Sequence, residues 1–312
     1  MKQIRIGSTS LMGSRLAYGC WRLGGSEGEV PPPDVAVTGV RAVREAVDAG
    51  FTLFDLADIY GGGDSERIFG RALADSPGLR SQLCVASKCG IRKPGDPSPT
   101  SPYRYDFSAE YIVSSVEGSL KRMGIDHLDI LMLHRPDVLM NPAEVAGAFV
   151  QLRDAGKVRE FGVSNFRPSQ VEALQKALPL PLAVHQVEIS LHQHSALGDG
   201  TLDQCLASGM TPMAWSPLDK GRLGDGEPAP AGSAEAATRA QLRALLDSLA
   251  AGYGVSRSAL AIAWLLALPG VMPVIGTTRP ARIRELAKAA DLSVDRETWY
   301  RLFEAARGSR LP

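Results

Sequence analysis

The chain has 312 residues, which at roughly 150 per domain allows two domains or one large one. Its 34 Lys and Arg balance 34 Asp and Glu, so the formal net charge is zero and no broad basic field exists to hold nucleic acid or anionic lipid. Apolar residues at 45% and charged residues at 22% lie well away from the composition of disordered chains, so a sizeable core is expected.

The opening MKQIRIGSTS lacks the apolar stretch of a signal peptide. The cysteines Cys20, Cys84, Cys89 and Cys205 are too sparse for a disulfide framework, and none forms a Cys-x-x-Cys pair. A reduced, cytoplasmic protein is expected. Residues 1–15 read as a β-hairpin turning at Gly7-Ser8 and plugging one end of the fold. Eight short apolar runs suited to strands buried on both faces come next: 16–20, 51–57, 83–87, 128–133, 158–163, 182–189, 211–215 and 271–275. Amphipathic helical stretches separate them. Asp34 is placed to cap the first, whose Val40, Val43 and Val47 share a face, and Gly50 to close it. Ser108 and Gly124 bracket 109–123 in the same way. The longest uncharged stretch, 259–276, is cut by Pro269-Gly270 after about ten apolar residues, half a bilayer's worth of helix, and reads as a buried helix followed by a buried strand. Residues 294–307 form an extra helix beyond the eighth unit.

Strands alternating with helices of 10–15 residues specify βαβ units and a parallel sheet, and eight units suit a closed (β/α)8 TIM barrel occupying 1–312 as a single α/β domain. Two long connections leave the C-terminal ends of strands, where such a barrel carries its site. One is 89–107, with four prolines; the other is 218–233, with four glycines and two prolines. Both are candidate lids or tolerated surface insertions.

Several chemistries lack their signatures. No Gly-x-Gly-x-x-Gly follows a strand, no phosphate-binding loop of the Gly-Lys-Ser/Thr type occurs, and Gly162-Val163-Ser164-Asn165-Phe166 fails as a nucleophile elbow because Phe166 replaces the second Gly. His192 and His194, with His185 nearby, are spaced like metal ligands but lack carboxylate partners, so no metal is expected.

Four polar groups end consecutive apolar strands: Asp55 and Tyr60 in FDLADIYGG, Lys88 in LCVASKCG and His134 in LDILMLHRPD. Alone, each has a structural explanation, because buried polar groups are usually just hydrogen-bonded. Together they make an acid. A phenol with pKa near 10 is a poor proton donor at neutral pH; a neighbouring ammonium lowers that pKa, and a carboxylate anchors the ammonium. Lys88 would tune Tyr60, Asp55 would hold Lys88, and a His134 N–H would fix a carbonyl oxygen against the Tyr60 hydroxyl.

FDLADIYGG, VASKCG, LMLHRPD, GKVREFGVSNF, HQVEIS, MAWSPL and VIGTTRPARI, in this order, resemble the aldo-keto reductase superfamily, specifically its bacterial cytosolic oxidoreductases. The resemblance spans about residues 14–307. It implies a (β/α)8 barrel binding NADPH without a Rossmann domain, with the tetrad Asp55, Tyr60, Lys88 and His134, Tyr60 as general acid, and direct hydride transfer to a small-molecule carbonyl substrate. It further implies that Ser164, Asn165 and Gln186 hold the nicotinamide carboxamide while Trp215 stacks on the ring. Ser216, Pro217, Leu218, Gly221 and Arg222 would follow the pyrophosphate. Gly19, Cys20 and Trp21 would contact the ribose, and Gly276, Thr277, Arg279 and Arg282 would take a 2′-phosphate, favouring NADP over NAD. The chain departs from the pattern at His185 and Leu286, where the family commonly has Asn, and at Gly276, where a Lys is frequent. Two other readings compete: a nicotinamide-binding sensor with little turnover, and a metal-dependent barrel hydrolase built on His134, His185, His192 and His194. Trp21, Ile91, Tyr103, Tyr105 and Arg135 are candidate pocket walls, an aromatic and largely apolar mouth suited to a medium-sized or aromatic carbonyl. A monomer is expected, since a closed barrel has no sheet edge to pair, with no nucleic-acid or membrane partner.

Overall fold

The computed structural model describes residues 1–25, 34–227 and 236–312. Eight parallel strands close into a barrel: β1 (Ala17–Gly19), β2 (Leu53–Asp55), β3 (Cys84–Cys89), β4 (Leu128–Leu133), β5 (Val158–Ser164), β6 (Leu182–Glu188), β7 (Thr211–Trp215) and β8 (Met272–Ile275). Each strand pairs with its neighbours in sequence, and β8 pairs with β1 to close the ring. All eight lie within or beside the apolar runs, because strands walled by helices outside and by side chains inside must be apolar on both faces.

Around the barrel lie α1 (Val35–Asp48), α2 (Asp64–Ala74), α3 (Ala109–Met123), α4 (Pro142–Asp154), α5 (Pro168–Ala177) and α6 (Thr201–Ser208), each between consecutive strands. Two helices, α7 (Ala236–Tyr253) and α8 (Arg257–Leu266), separate β7 from β8, and α9 (Pro280–Ala287) and α10 (Arg296–Arg307) follow. Ser108 caps α3, its Oγ accepting from the Tyr111 N–H at 3.3 Å, and Gly124 ends the helix at φ +65°. Asp34 does not cap α1. Its carboxylate accepts instead from the Thr38 hydroxyl at 3.2 Å, one turn along. The uncharged stretch 259–276 is α8 followed by β8, with Trp264 fully buried. No single described helix is long and apolar enough to cross a membrane.

The N-terminal hairpin pairs Gln3–Arg5 with Met12–Ser14. Its turn is wider than Gly7-Ser8 and carries Ile6 and Leu11 into the barrel floor against Leu53, Cys84, Ala183, Met213 and Met272. Gly7 has φ +56°, and a Cβ there would lie 2.4 Å from the Ala183 carbonyl oxygen, so no other residue fits. The hairpin therefore seals the N-terminal end and leaves the C-terminal end open. At that end, the connection 89–107 folds a short second hairpin, Ile91–Arg92 with Arg104–Tyr105. Arg92 clamps it through Asp96 and Asp106, both at 2.9 Å. Of the connection 218–233, residues 228–233 lie outside the described residues.

Candidate active site

Side chains alternate across a strand, so the inward positions of the barrel can be followed upward from its floor. Leu53 is followed by Asp55 on β2, Ala86 by Lys88 on β3, Met132 by His134 beyond β4, and Val184 by Gln186 on β6. The apolar layer thus ends and a polar layer begins at the mouth. A cleft of about 900 Å³ opens there, lined by Asp55, Tyr60 and His134 together with Ser164, Asn165 and Gln186.

Lys88 is fully buried, and its ammonium spends all three protons. One goes to Asp55 Oδ1 at 2.6 Å, one to the Leu56 carbonyl at 2.8 Å and one to Tyr60 Oη at 3.2 Å. Tyr60 Oη is therefore an acceptor from Lys88 and keeps its own O–H to donate toward the cleft. The imidazole of His134 meets the Tyr60 ring edge-on at 5.7 Å. Burial, with the Lys88 and Arg135 charges, pushes the His134 pKa well below its usual value, so the ring is neutral and carries one N–H. Lys88 stays above the usual lysine value because Asp55 and Tyr60 outweigh the cost of burying it. The phenol runs against the sequence-based expectation. Lys88 does pull the Tyr60 pKa down, but burial pushes it up harder and Asp55 adds to the rise, so the net shift is upward.

The dinucleotide set divides. Gly19, Trp21, Trp215, Ser216, Pro217, Leu218, Gly221, Gly276, Thr277, Arg279 and Arg282 line the same cleft. Cys20 does not; it is fully buried with Leu16 and Tyr18 against the helices. Arg222 does not either, and reaches back to Asp219 Oδ1 at 3.2 Å. Tyr105 stays off the cleft, stacked edge-on against Tyr103. Asn165 is fixed by its neighbours: its Nδ2 donates to the His134 carbonyl at 3.2 Å and to Ser164 Oγ at 2.7 Å, and its Oδ1 accepts from Trp215 Nε1 at 2.9 Å. These bonds set the plane of the indole, over which the Arg135 guanidinium sits at 5.2 Å. Gln186 Nε2, by contrast, is buried without a partner.

Several lining residues escaped the sequence reading: Arg22, Lys93, Glu188, Lys220, Ile262 and Val274. Four of these are ionisable, so the mouth is more polar than expected. Arg22 donates to the Gly276 carbonyl at 3.1 Å and joins Arg279 and Arg282 in one cationic corner. Arg282 pairs there with the exposed Asp225. His192 is bonded to Asp219, and no group of three or more His, Cys, Asp or Glu able to hold a metal occurs among the described residues.

Behind Tyr60, Asp58 accepts from Ser115 Oγ at 2.7 Å, while its Oδ1 is enclosed without a partner. Burial pushes its pKa up to about 7. A carboxyl with a raised folded-state pKa contributes stability at low pH that is lost as pH rises from about 4 to 7. Asp58→Asn keeps an acceptor for Ser115 and removes the charge. Its melting temperature should exceed the wild type's by about 2–5 °C at pH 8.5, with the gap closing by pH 4.5. Calorimetry at the two pH values checks this, and a pH-independent gap would refute it.

The Aldo/keto reductase family model matches residues 15–307. The chain is 39% identical over 315 residues to a 6-dehydroglucose reductase of Novosphingobium aromaticivorans, covering 99% of this chain and 96% of that protein. It is 42% identical over 275 residues to the oxidoreductase YdhF of Escherichia coli, covering 88% and 89%. Among solved structures, the glycerol dehydrogenase of Gluconobacter oxydans superposes with a TM-score of 0.86 at 28% identity, over 99% of this chain and 97% of that one. Eight strands in unbroken barrel order, a polar layer on their C-terminal ends and a family match over that whole span lead to one conclusion: the chain is a member of the aldo/keto reductase family.

Proposed function

We propose that the protein is an NADPH-dependent reductase of aldehydes or ketones, with Tyr60 as the general acid. The observation that carries this reading is the exhausted ammonium of Lys88. With all its protons committed to Asp55, Leu56 and Tyr60, Lys88 cannot itself protonate a substrate; it can only fix the phenol. Of the Lys88–Tyr60 pair, the proton left to face the cleft is the one on the Tyr60 hydroxyl, an acidic O–H beside the neutral His134 imidazole. A sensor needs no such proton, and a hydrolase has no use for a phenol buried beside an ammonium.

The cleft fits a nicotinamide dinucleotide. Gln186 Nε2 is a buried donor without a partner, which a carboxamide oxygen would satisfy. The planar Trp215 offers a stacking surface, and Arg22, Arg279 and Arg282 around the start of α9 offer cations for a phosphate. When bound, NADPH supplies the hydride. The protein's own part is to hold the carbonyl oxygen between the His134 N–H and the Tyr60 O–H, polarise it, and deliver the phenolic proton as negative charge develops there. Asp55 and Lys88 keep the phenol aimed. The substrate wall combines Trp21, Ile91 and Tyr103 with Lys93, Arg135 and Glu188. Both apolar aldehydes and a dehydroglucose of the kind named for the Novosphingobium relative therefore belong in the assay panel.

Fluorescence titration with NADPH and NADH, followed by turnover on that panel, tests the reading; binding without reduction of any carbonyl would favour the sensor. Arg282→Ala should weaken NADPH about 10–100-fold and leave NADH nearly unchanged, because only NADPH carries the 2′-phosphate that a guanidinium holds by a charge-assisted bond. Equal losses for both cofactors would remove Arg282 from phosphate recognition.

A further inference from the structure

The segment 216–221 lines the cleft yet has an unfavourable backbone. Ser216 has φ +53°, Asp219 +44° and Lys220 +55°, so three side-chain-bearing residues sit in the left-handed region that favours glycine. Such conformations persist only where the surroundings impose them. Backbone bonds from Asp219 to the Ser216 carbonyl (2.8 Å) and from Gly221 to the Leu218 carbonyl (2.9 Å) are internal to the segment and do not tie it to the barrel.

His192 ties the segment from outside. It follows β6 on a turn closed in both directions, Ser190 N–H to the Gln193 carbonyl at 2.7 Å and the reverse at 3.2 Å. Ser190 Oγ also accepts from the His192 and Gln193 amides at 3.1 and 3.0 Å. From this rigid base, His192 Nδ1 bonds Asp219 Oδ2 at 2.8 Å, with both side chains largely buried at 8% and 14% exposure. That bond holds the Asp219 carboxyl below the usual carboxylate range. Neither residue lines the cleft, whereas Ser216, Pro217, Leu218, Lys220 and Gly221 on either side of Asp219 do.

We propose that His192 and Asp219 are a positioning pair: their bond holds 216–221 in the strained shape that receives the pyrophosphate of the dinucleotide, with Lys220 turned into the cleft. The inference rests on the nicotinamide reading above. It makes the pair blind to the 2′-phosphate, unlike Arg282, and remote from the proton and hydride steps.

The test combines cofactor titration with hydrogen exchange in the ligand-free protein. In His192→Ala, Kd for NADPH and NADH should rise together by about tenfold, the scale of one charge-assisted hydrogen bond. The rate at saturating cofactor should stay within about twofold, and amides of 216–226 should exchange at least ~10-fold faster without ligand. His192→Asn should restore most of both, since its Nδ2 stands where Nδ1 does. Asp219→Gly removes the acceptor while relaxing the backbone, so it folds readily; it should bind as weakly as His192→Ala, and the double variant no worse. Unchanged exchange in His192→Ala, an Asn variant as defective as the Ala one, or wild-type binding by Asp219→Gly would each overturn the proposal. If the wild type bound neither dinucleotide, the nicotinamide reading would fall, and the exchange rates would still judge the clasp itself.

Discussion

Tyr60→Phe is expected to leave NADPH binding within a few-fold and to cut carbonyl reduction by at least ~10²-fold, the usual scale of a positioned general acid. The substitution removes one oxygen. The ring remains against His134, and Lys88 keeps Asp55 and the Leu56 carbonyl as partners, so the wall of the cleft should survive. What is lost is the O–H that faces the cleft. The direction of the Tyr60 pKa adds a pH signature. Because burial holds the phenol above its ordinary value, Tyr60 stays protonated through neutral and mildly alkaline pH. Reduction, which consumes that proton, should be flat from pH 6 to about 9; alcohol oxidation, which needs the phenolate, should rise with pH over the same range. Steady-state rates in both directions for wild type and variant check this. Retained reduction in Tyr60→Phe would take the phenol out of the chemistry.

The parts of this molecule that were legible in sequence share a physical cause. A parallel barrel strand is buried on both faces, so it appears as an apolar run, and a polar residue that ends such a run is conspicuous; Asp55, Lys88 and His134 were found in that way. Gly19, Cys20 and Trp21 read as one contact segment, but the pleat of the strand separates them. Alternation from Ala17, which faces the barrel interior, sends Gly19 and Trp21 to the cleft and Tyr18 and Cys20 to the helices. The same count finds Glu188, two residues past Gln186, as a lining residue. Other features have no local signal. Arg222 turns away because Asp219 draws it back, and Asp219 is placed by His192, 27 residues earlier on another loop. The net shift of Tyr60 depends on how completely tertiary structure encloses the phenol, a quantity that the Lys and Asp spacing does not encode.

Lys88→Met tests whether the four polar groups at the barrel mouth act as one device. Methionine nearly matches the lysine stem in volume but donates no proton, so three acceptors lose their partner at once: Asp55 Oδ1, the Leu56 carbonyl and Tyr60 Oη. Breaking a fully buried ion pair by removing one member costs about 3–5 kcal/mol, so a lower melting temperature should accompany any kinetic effect. For catalysis, removal of the ammonium deletes the one strong influence that lowers the Tyr60 pKa and leaves burial and the Asp55 charge, both of which raise it. The phenol then becomes a weaker acid and loses the bond that aims it. Reduction should fall by a factor comparable to that in Tyr60→Phe, at least ~10²-fold. Residues acting as a unit give non-additive losses, so Tyr60→Phe combined with Lys88→Met should be little slower than either single variant. Single-turnover rates for the two single variants and the double decide the matter once folding is verified by circular dichroism. If the losses multiply, Lys88 contributes by a route that does not pass through Tyr60, and the tuning of the phenol by the ammonium is wrong.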